Sequence, residues 1–256
     1  MAETPGVTCT CRVVRYERGV PREVADEVPT EALVRLDVNG ERAAMFSCSP
    51  TDLEALGVGY LVTSGFLQAR DELLGVQVVH GCDIIIDVRL APQAVRDSCT
   101  CDALWRWQHG MEPYREGPIF RAGDLLAAMD GLLARGEVFR RTGGAHFAAI
   151  IDPARGCEPA VFFEDIGRHN AIDKAIGGAF LKGIDLARAG LATSCRVSRE
   201  AVRKAALAGL PLVASRAGPT DGAIAFADEV GVTLVGFAKG GRMNIYTHEA
   251  RVGRVS

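Results

Sequence analysis

Two cysteines separated by a single threonine, Cys99 and Cys101, offer the most direct reactive chemistry in this chain. They lie in residues 91–118, where apolar residues show no periodicity, so we predict a mobile loop there. An accessible thiolate in such a loop can accept a sulfur atom and pass it on. The pair can equally be two incidental loop cysteines. With Cys9 and Cys11 it can also form a structural zinc site, although such sites favour two to four residues between paired cysteines.

A second candidate site is a glycine pair between two cations near the carboxyl end of the chain. Gly240 and Gly241 follow Lys239 and precede Arg242, at the end of a predicted strand. Backbone amides in such a turn, together with the flanking cations, form a local cradle for an anion. The spacing matches neither a Walker phosphate loop nor a dinucleotide-binding fingerprint, so these residues alone indicate only a phosphate site.

Another glycine pair, Gly143 and Gly144, precedes a predicted strand that contains His146. The pair indicates either a close approach of the backbone to a ligand, with amides facing an anion, or a plain turn. His146 is either a site residue or a core histidine. It is not part of a zinc deaminase signature, because the residue two positions on is Ala148 rather than the glutamate that serves as general acid and base.

The first two residues of another predicted helix, Arg168 and His169, have cationic or titratable side chains. Side chains four residues apart on a helix are neighbours, so we expect His169 to pair with Asp173, and Asn170 with Lys174. The group is either part of a site at the carboxyl end of a strand, where open α/β sheets bind ligands, or a solvated helix face with a capping acid.

The loop from Ser194 to Ser198 repeats this arrangement before the next predicted helix. Ser198 is the predicted N-cap and Arg196 a candidate phosphate ligand. We expect Cys195 to be packed rather than reactive, as free cysteine usually is.

The elements that must position these residues fall into two predicted parts. Residues 1–116 contain two hairpins, one turning at Asn39-Gly40, around a helix for which Ser49 to Glu54 predict a capping box. Residues 117–256 alternate short apolar strands with amphipathic helices, which predicts a largely parallel sheet covered by helices. We therefore predict an α/β protein with a smaller N-terminal α+β domain, which ends in the cysteine loop, and a C-terminal α/β domain.

Composition narrows the classes of function. The 256 residues are 48% hydrophobic and 24% charged, which is typical of a globular protein rather than a disordered or fibrous one. The formal net charge of -3 gives no global attraction to nucleic acid or to an anionic membrane, so any anion site must be local. With no recognisable secretory signal or membrane-spanning stretch, we expect a cytoplasmic location that keeps the eight cysteines reduced.

Taken together, five segments resemble the FdhD/NarQ family of formate dehydrogenase accessory sulfurtransferases, in the same order, over about residues 10 to 248. They are SPTDLEALGVGYLVTSGFL from Ser49, TGGAHFAA from Thr142, EDIGRHNAIDKAIG from Glu164, TSCRVSREAVRKAALAGLPLV from Thr193 and GPTDGAIAFADEVGVTLVGFAKGGRMNIYTH from Gly218.

This resemblance implies a fold, an activity and partners. The fold is a C-terminal three-layer α/β/α domain similar to cytidine deaminases, in a cytoplasmic homodimer. The activity is that of a sulfur carrier, which takes a persulfide from a cysteine desulfurase and delivers sulfur to the molybdenum cofactor, Mo-bis(molybdopterin guanine dinucleotide), before its insertion into formate dehydrogenase. No metal ion of its own is implied. A cofactor chaperone without catalysis and a zinc-bound structural module remain as alternatives.

The resemblance also assigns residues. Cys99 corresponds to the persulfide-bearing cysteine, with Cys101 as a possible second or resolving thiol. The family's cofactor-binding segment falls on Phe237, Ala238, Lys239, Gly240, Gly241 and Arg242. The remaining candidates for holding the cofactor are Gly143, Gly144, His146, Arg168, His169 and Arg196, with cationic Arg168 and His169 steadying the cofactor or the leaving thiolate.

Two departures from the family pattern concern the thiols. Many members carry Cys-x-x-Cys, whereas Asp102 stands three residues after Cys99 here, so Cys99 alone, Cys101 or both can carry sulfur. In addition, Cys195 precedes Arg196 where glycine is usual, which leaves the shape of that loop open.

Overall fold

The computed structural model describes residues 6–92 and 117–253. The chain begins with an antiparallel hairpin of two ten-residue strands, β1 (Thr8–Glu17) and β2 (Val20–Pro29). Arg141 ties the base of this hairpin to the rest of the molecule through hydrogen bonds to Glu27 and Thr8.

A four-stranded sheet follows and confirms both predicted hairpins. Its strands are β3 (Ala32–Val38), β4 (Glu41–Cys48), β5 (Leu73–His80) and β6 (Ile84–Leu90), in the order β4-β3-β6-β5. Asn39 and Gly40 have φ angles of 51° and 86°, as a tight hairpin turn requires. The Asn39 side chain also exchanges two hydrogen bonds with the backbone of Leu90, which fixes β6 beside β3.

Helix α1 (Leu53–Thr63) lies between these hairpins, but the predicted capping box is wrong. Asp52 is the N-cap residue, with a left-handed φ of 53°, and its side chain makes no capping hydrogen bond within the described part of the chain. Ser49 is used elsewhere instead. Its amide donates to Asp165 Oδ2 at 3.1 Å, and its hydroxyl accepts from the amide of Ile166 at 3.2 Å.

The second sheet has six strands and is mixed, so the prediction of a largely parallel sheet is wrong. Its strands, β8 (His146–Asp152), β9 (Glu158–Asp165), β10 (Gly190–Thr193), β11 (Leu212–Ser215), β12 (Thr233–Lys239) and β13 (Arg242–Thr247), take the order β13-β12-β11-β10-β8-β9. Parallel pairing joins β10 to β11 and β11 to β12, and the other three pairs are antiparallel. Two of those three are hairpins with short turns, which force antiparallel pairing.

Helices cover both faces of this sheet and complete a three-layer α/β/α arrangement, as predicted. They are α2 (Ala122–Arg135), α3 (Glu137–Thr142), α4 (Arg168–Leu181), α5 (Arg199–Leu207) and α6 (Asp221–Val230); the short strands β7 (Phe120–Arg121) and β14 (Val252–Gly253) pair beside them. Strand β8 has apolar residues on both of its faces, because each face packs against a different layer of helices. Phe147, Ala149 and Ile151 join the core under α2, whereas Ala148 and Ile150 join the core under α4 to α6.

The larger core continues from the second sheet into the first one. It contains Val34 and Ile86 of the four-stranded sheet together with Ile150 and Leu234 of the six-stranded sheet. The predicted boundary between residues 116 and 117 falls beside the part of the chain that is not described, so the division into two domains stays a prediction.

Helices α1 and α4 touch backbone to backbone at the centre of this shared core. A Cβ atom on Gly59 would lie 1.8 Å from the carbonyl oxygen of Asp173, and one on Gly177 would lie 2.0 Å from that of Ala55. Any side chain at these positions would push the helices apart, because backbone atoms cannot yield as a flexible side chain can.

We therefore expect Gly177→Ala to lower the free energy of unfolding by about 3 kcal/mol, the upper range for overpacking a core. Gly131→Ala in α2 is the matched control, because no described atom lies within 4 Å of its added Cβ. The control should be neutral or stabilising by up to about 1 kcal/mol through helix propensity. Urea unfolding followed by circular dichroism measures both variants, and an equal effect of the two would contradict the close-packing argument.

Candidate functional site

The candidate residues that the structure describes lie along one edge of the six-stranded sheet. Strands β9 to β12 end at this edge, and β8 and β13 begin there. The pairing of His146 with Asp165, of Thr193 with Ser215 and of Lys239 with Arg242 marks its course. We call it the site edge. This confirms the prediction from the sequence that the candidate polar residues lie at the ends of strands.

Asp165, fully buried at the end of β9, organises one end of the site edge. Its carboxylate lies 2.6 Å from Lys174 Nζ and accepts hydrogen bonds from the amide of Gly167 at 2.8 Å and from Asn170 Nδ2 at 3.1 Å, besides that from Ser49. A buried carboxylate is tolerated only when it is paired and hydrogen-bonded in this way. The Asp165 side chain therefore shapes the turn into α4 and is not free for acid–base chemistry.

A second buried ion pair joins α4 to α5. Lys204 Nζ lies 2.8 Å from both carboxylate oxygens of Asp173, and Thr63 of α1 donates to Asp173 Oδ1 at 2.7 Å. The predicted pairs His169 with Asp173 and Asn170 with Lys174 are therefore wrong. Tertiary partners hold these side chains because α4 is buried nearly all round rather than on one stripe.

Arg168 and two neutral histidines form the centre of this end of the site edge. Burial lowers the pKa of His169, and the positive charges of Arg168 and Lys204 lower it further against the opposing effect of Glu200. Burial and Arg168 likewise lower the pKa of His146, although Asp165 opposes them. Arg168 Nε donates to His169 Nε2 at 3.4 Å, and an imidazolium could not accept this hydrogen bond. The positive charge in this part of the site edge is therefore that of Arg168 and not that of a protonated histidine.

We expect nuclear magnetic resonance titration to place both histidine midpoints below about 6.5, the ordinary value for histidine. Arg168→Met should raise the pKa of both rings because it removes a shared positive charge, whereas Arg196→Met, the matched control, should leave them unchanged. An unfolded chain would bind these protons first, so their contribution makes the folded state less stable as the pH falls below 6.5. Equal shifts in the two variants would refute the role given to Arg168.

The Cys195 loop is closed and its thiol is inert. Burial raises the pKa of Cys195, although a hydrogen bond from Thr193 Oγ1 to Sγ at 3.3 Å opposes that rise. Ser215 Oγ donates to the Cys195 carbonyl at 2.5 Å. Ser194, Cys195 and Arg196 all have negative φ angles, so this loop does not need the glycine that is usual in the family. The packed thiol agrees with the sequence prediction.

Two polar residues shortly after this thiol, Arg196 and Ser198, have different surroundings. Arg196 is exposed and available to a ligand. Ser198 occupies the predicted N-cap position of α5, but its hydroxyl makes no capping hydrogen bond with the described residues.

The Gly143-Gly144 turn serves the structure. The amide of Gly143 donates to the Phe139 carbonyl at 2.8 Å, and that of Gly144 donates to Thr142 Oγ1 at 3.1 Å. A Cβ on Gly144 would come within 2.8 Å of Pro29 in β2, so this glycine lets the N-terminal hairpin pack closely. With both amides engaged, the geometry favours the plain turn over an anion contact.

The second glycine pair forms the open end of the site edge. Gly240 and Gly241 turn with φ angles of 58° and 75°, and the side chains of Lys239 and Arg242 beside them are exposed. We call these four residues the cradle. Both φ values lie in the left-handed region that glycine tolerates best, so the turn depends on this pair.

Phe237 and Ala238 lead into the cradle and differ in exposure. Phe237 adopts a left-handed φ of 53° at an irregularity in β12, a strained conformation of the kind found at functional sites. Its exposed ring packs against Gly218, where a Cβ would come within 2.7 Å of Phe237 Cζ. Ala238 is fully buried and can contribute only backbone atoms.

The cradle and Arg168 are not brought into contact along the site edge. Strands β9 and β12 are four positions apart in the sheet, which is about 19 Å at the usual spacing of neighbouring strands. A single small ion cannot bridge them, but an extended molecule can. Cys99 and Cys101 lie outside the described residues.

Three polar residues important to the site edge are not among the predicted site residues. Glu164 accepts hydrogen bonds from the amides of Val138 and Phe139 at 3.0 and 2.9 Å and so caps α3. Asp130 of α2 and Arg216, which follows β11, form an ion pair at 2.8 Å. No local spacing signals this pair, because its members are 86 positions apart.

Within residues 6–92 and 117–253, no three His, Cys, Asp or Glu side chains converge as a metal site would require. The zinc alternative involving Cys9, Cys11, Cys99 and Cys101 falls partly outside these residues and stays open. No helix in the same ranges is long and apolar enough to cross a membrane.

Comparison with known proteins identifies relatives over nearly the whole chain. The FdhD/NarQ family model matches residues 29–253. A protein of Methanothermobacter thermautotrophicus named sulfur carrier protein FdhD is 32% identical, with 94% of this chain and 96% of the relative aligned. One of the same name from Streptomyces avermitilis is 34% identical, with 96% of each chain aligned.

The fold has a solved counterpart as well. A crystal structure from Desulfotalea psychrophila, provisionally named a formate dehydrogenase accessory protein, superposes with a TM-score of 0.83 over 97% of this chain and 100% of that one, at 22% identity. At this identity the likeness concerns the fold alone. The match of the family model to most of the sequence goes further: this chain belongs to the FdhD/NarQ family.

Proposed function

We propose that this protein is a cytoplasmic sulfur carrier that serves the maturation of formate dehydrogenase. The observation that carries the proposal is its membership of a family whose aligned relatives are named sulfur carrier protein FdhD. The site edge supports the proposal because it combines an exposed anion cradle with the cationic side chain of Arg168. Cys195, the one cysteine among its described residues, is buried and inert. The partners would be a cysteine desulfurase as donor and formate dehydrogenase as recipient, with the carrier acting as a homodimer.

The buried cysteines of the described chain are poor carriers. Burial raises the pKa of Cys48 and of Cys157 to about 12, with nearby carboxylates adding to the effect, and it raises the pKa of Cys195 as well. Because the thiolate is the nucleophile, none of the three reacts readily at neutral pH. Three more accessible thiols remain in the described chain, those of Cys9, Cys11 and Cys82. The assignment of the carrier role to Cys99, alone or with Cys101, therefore rests on the family resemblance.

The proposed loading step moves one sulfur atom without net oxidation. The Cys99 thiolate attacks the terminal sulfur of the desulfurase persulfide, a new sulfur–sulfur bond forms, and the desulfurase thiolate leaves. In one route of release, the Cys101 thiolate attacks Cys99 Sγ and expels hydrosulfide. The two thiols are thereby oxidised to a disulfide, and the transferred sulfur is reduced to sulfide.

The proposed cargo is the Mo-bis(molybdopterin guanine dinucleotide) cofactor, which is an extended molecule with pyrophosphate groups. Lys239, Arg242 and the glycine amides would hold a phosphate, and the exposed ring of Phe237 can stack on a flat base. Arg168 supplies the positive charge at the other end of the site edge. His169 and His146 are neutral at pH 7 and would act as hydrogen-bonding groups rather than as cations.

The carrier role is tested by intact-mass spectrometry after incubation with a cysteine desulfurase and cysteine. A reducible gain of about 32 Da per sulfur is expected, as persulfidation requires. It should disappear in Cys99→Ser, or in Cys101→Ser if that thiol is the carrier, and should persist in the matched control Cys195→Ser.

This experiment and two further measurements separate the alternatives. No gain in the wild type beside an active desulfurase would overturn the carrier role. If a Cys99→Ser, Cys101→Ser double variant still activates formate dehydrogenase, the protein is a cofactor chaperone without catalysis. Stoichiometric zinc by elemental analysis would favour the zinc-bound module.

Binding of cargo by the cradle has its own test, with guanosine diphosphate as the probe in isothermal titration calorimetry. Lys239→Ala and Arg242→Ala should each weaken binding by about tenfold, the size of one charge-assisted hydrogen bond. Lys182→Ala, an exposed lysine at the end of α4 away from the site edge, is the matched control and should have little effect. Equal losses in all three variants would indicate a nonspecific charge effect instead of a cradle.

A further inference from the structure

The cradle already holds an anion that belongs to the protein itself. The amide of Gly240 donates to Asp130 Oδ1 at 3.4 Å, and the same oxygen accepts from Arg216 Nη1 at 2.8 Å. Asp130 belongs to α2, on the face of the sheet opposite α4, and its side chain is about half exposed at 48%. The hydrogen bond from Arg216 holds the pKa of Asp130 below its usual range, and that from the Gly240 amide adds to this effect, although burial opposes it. The carboxylate is therefore charged at neutral pH.

Arg216 is fixed by contacts that do not depend on this carboxylate. Its Nη1 also donates to the carbonyl oxygen of Met129 at 2.9 Å, and its backbone amide donates to the carbonyl of Thr193 at 3.1 Å. The side chain is only 16% exposed. If the Asp130 side chain rotated away, the guanidinium would stay in place and present a free N–H at the cradle.

We propose that Arg216 is a further phosphate ligand of the cradle, and that Asp130 is an internal stand-in for the phosphate, which an incoming nucleotide displaces. The inference rests on the proposed function only in that the cradle must bind a phosphate. It adds a ligand residue and a competing group that the family resemblance did not assign.

The physical argument is competition for the same donors. A carboxylate oxygen and a phosphate oxygen both accept from a guanidinium and from a backbone amide. Asp130 engages one N–H of each, whereas a phosphate can also reach the exposed cations Lys239 and Arg242. The displaced carboxylate returns to water, which half of its surface already contacts. The exchange therefore favours the phosphate, and the Asp130 carboxylate weakens its apparent affinity.

The decisive variant is Asp130→Asn, which keeps the shape of the side chain and removes its charge. By calorimetry with guanosine diphosphate, it should bind about fivefold more tightly than the wild type, at the low end of typical coupling between competing groups. Asp124→Asn removes the same charge from the first turn of the same helix, beside Gly156. It should change the affinity by less than about twofold, because it lies six residues, about 9 Å along the helix axis, from Asp130.

Arg216 provides the second arm of the experiment. Arg216→Lys keeps the charge but loses the planar fork, and it should weaken binding by about tenfold and abolish the gain from Asp130→Asn when the two are combined. Inorganic pyrophosphate should show the same gain as guanosine diphosphate, and guanosine alone should show none. Thermal unfolding of each variant establishes that it is folded.

Several outcomes would overturn the inference. Asp130→Asn binding no more tightly than the wild type would make Asp130 a structural anchor of the turn. An equal increase in affinity in Asp124→Asn would mean that the loss of any negative charge on α2 strengthens binding, with no specific role for Asp130. If neither probe binds the wild type or Asp130→Asn while persulfide loading still succeeds, the inference fails and the carrier role stands. If persulfide loading fails while Asp130→Asn still binds guanosine diphosphate more tightly, the carrier role fails and the inference stands.

Discussion

The fold depends on the contact between α1 and α4, two helices that meet without side chains between them. Gly59 and Gly177 bring their backbones to a separation that any Cβ would prevent. This approach carries the Ser49 backbone to Asp165 and the Thr63 hydroxyl to Asp173, so the two buried carboxylates acquire partners from both halves of the described chain. Without that contact each carboxylate would lose hydrogen bonds that offset its burial.

The same contact determines which charges reach the site edge. Lys174 and Lys204 are neutralised inside the protein by Asp165 and Asp173. What remains for a ligand is a small set of exposed or half-buried cations at or beside the ends of helices and strands, in a chain whose overall charge is negative. The attraction for an anion is therefore confined to the edge of one sheet, and Arg168 acts there without help from protonated histidines.

Sequence reasoning succeeded where a structural preference is local. The Asn39-Gly40 turn and the start of α4 at Arg168 follow from dipeptide chemistry and helical patterning, and the strand ends bearing polar residues were identified correctly. It failed where partners come from afar. Asp165 is bound by Ser49 across 116 positions, and the pair of Asp130 with Arg216 has no local signature. A mixed sheet also escaped prediction, because alternating elements do not specify strand direction.

The burial of two lysines has a consequence for chemical labelling. The chain contains four lysines, and Lys174 and Lys204 are sealed in ion pairs. Lys182 and Lys239 are exposed, one beyond the end of α4 and one in the cradle. Acylation removes the charge of a lysine. An amine-reactive reagent therefore meets two side chains in the folded protein, so the ratio of modified Lys239 to modified Lys182 reports occupancy of the cradle with its own internal reference.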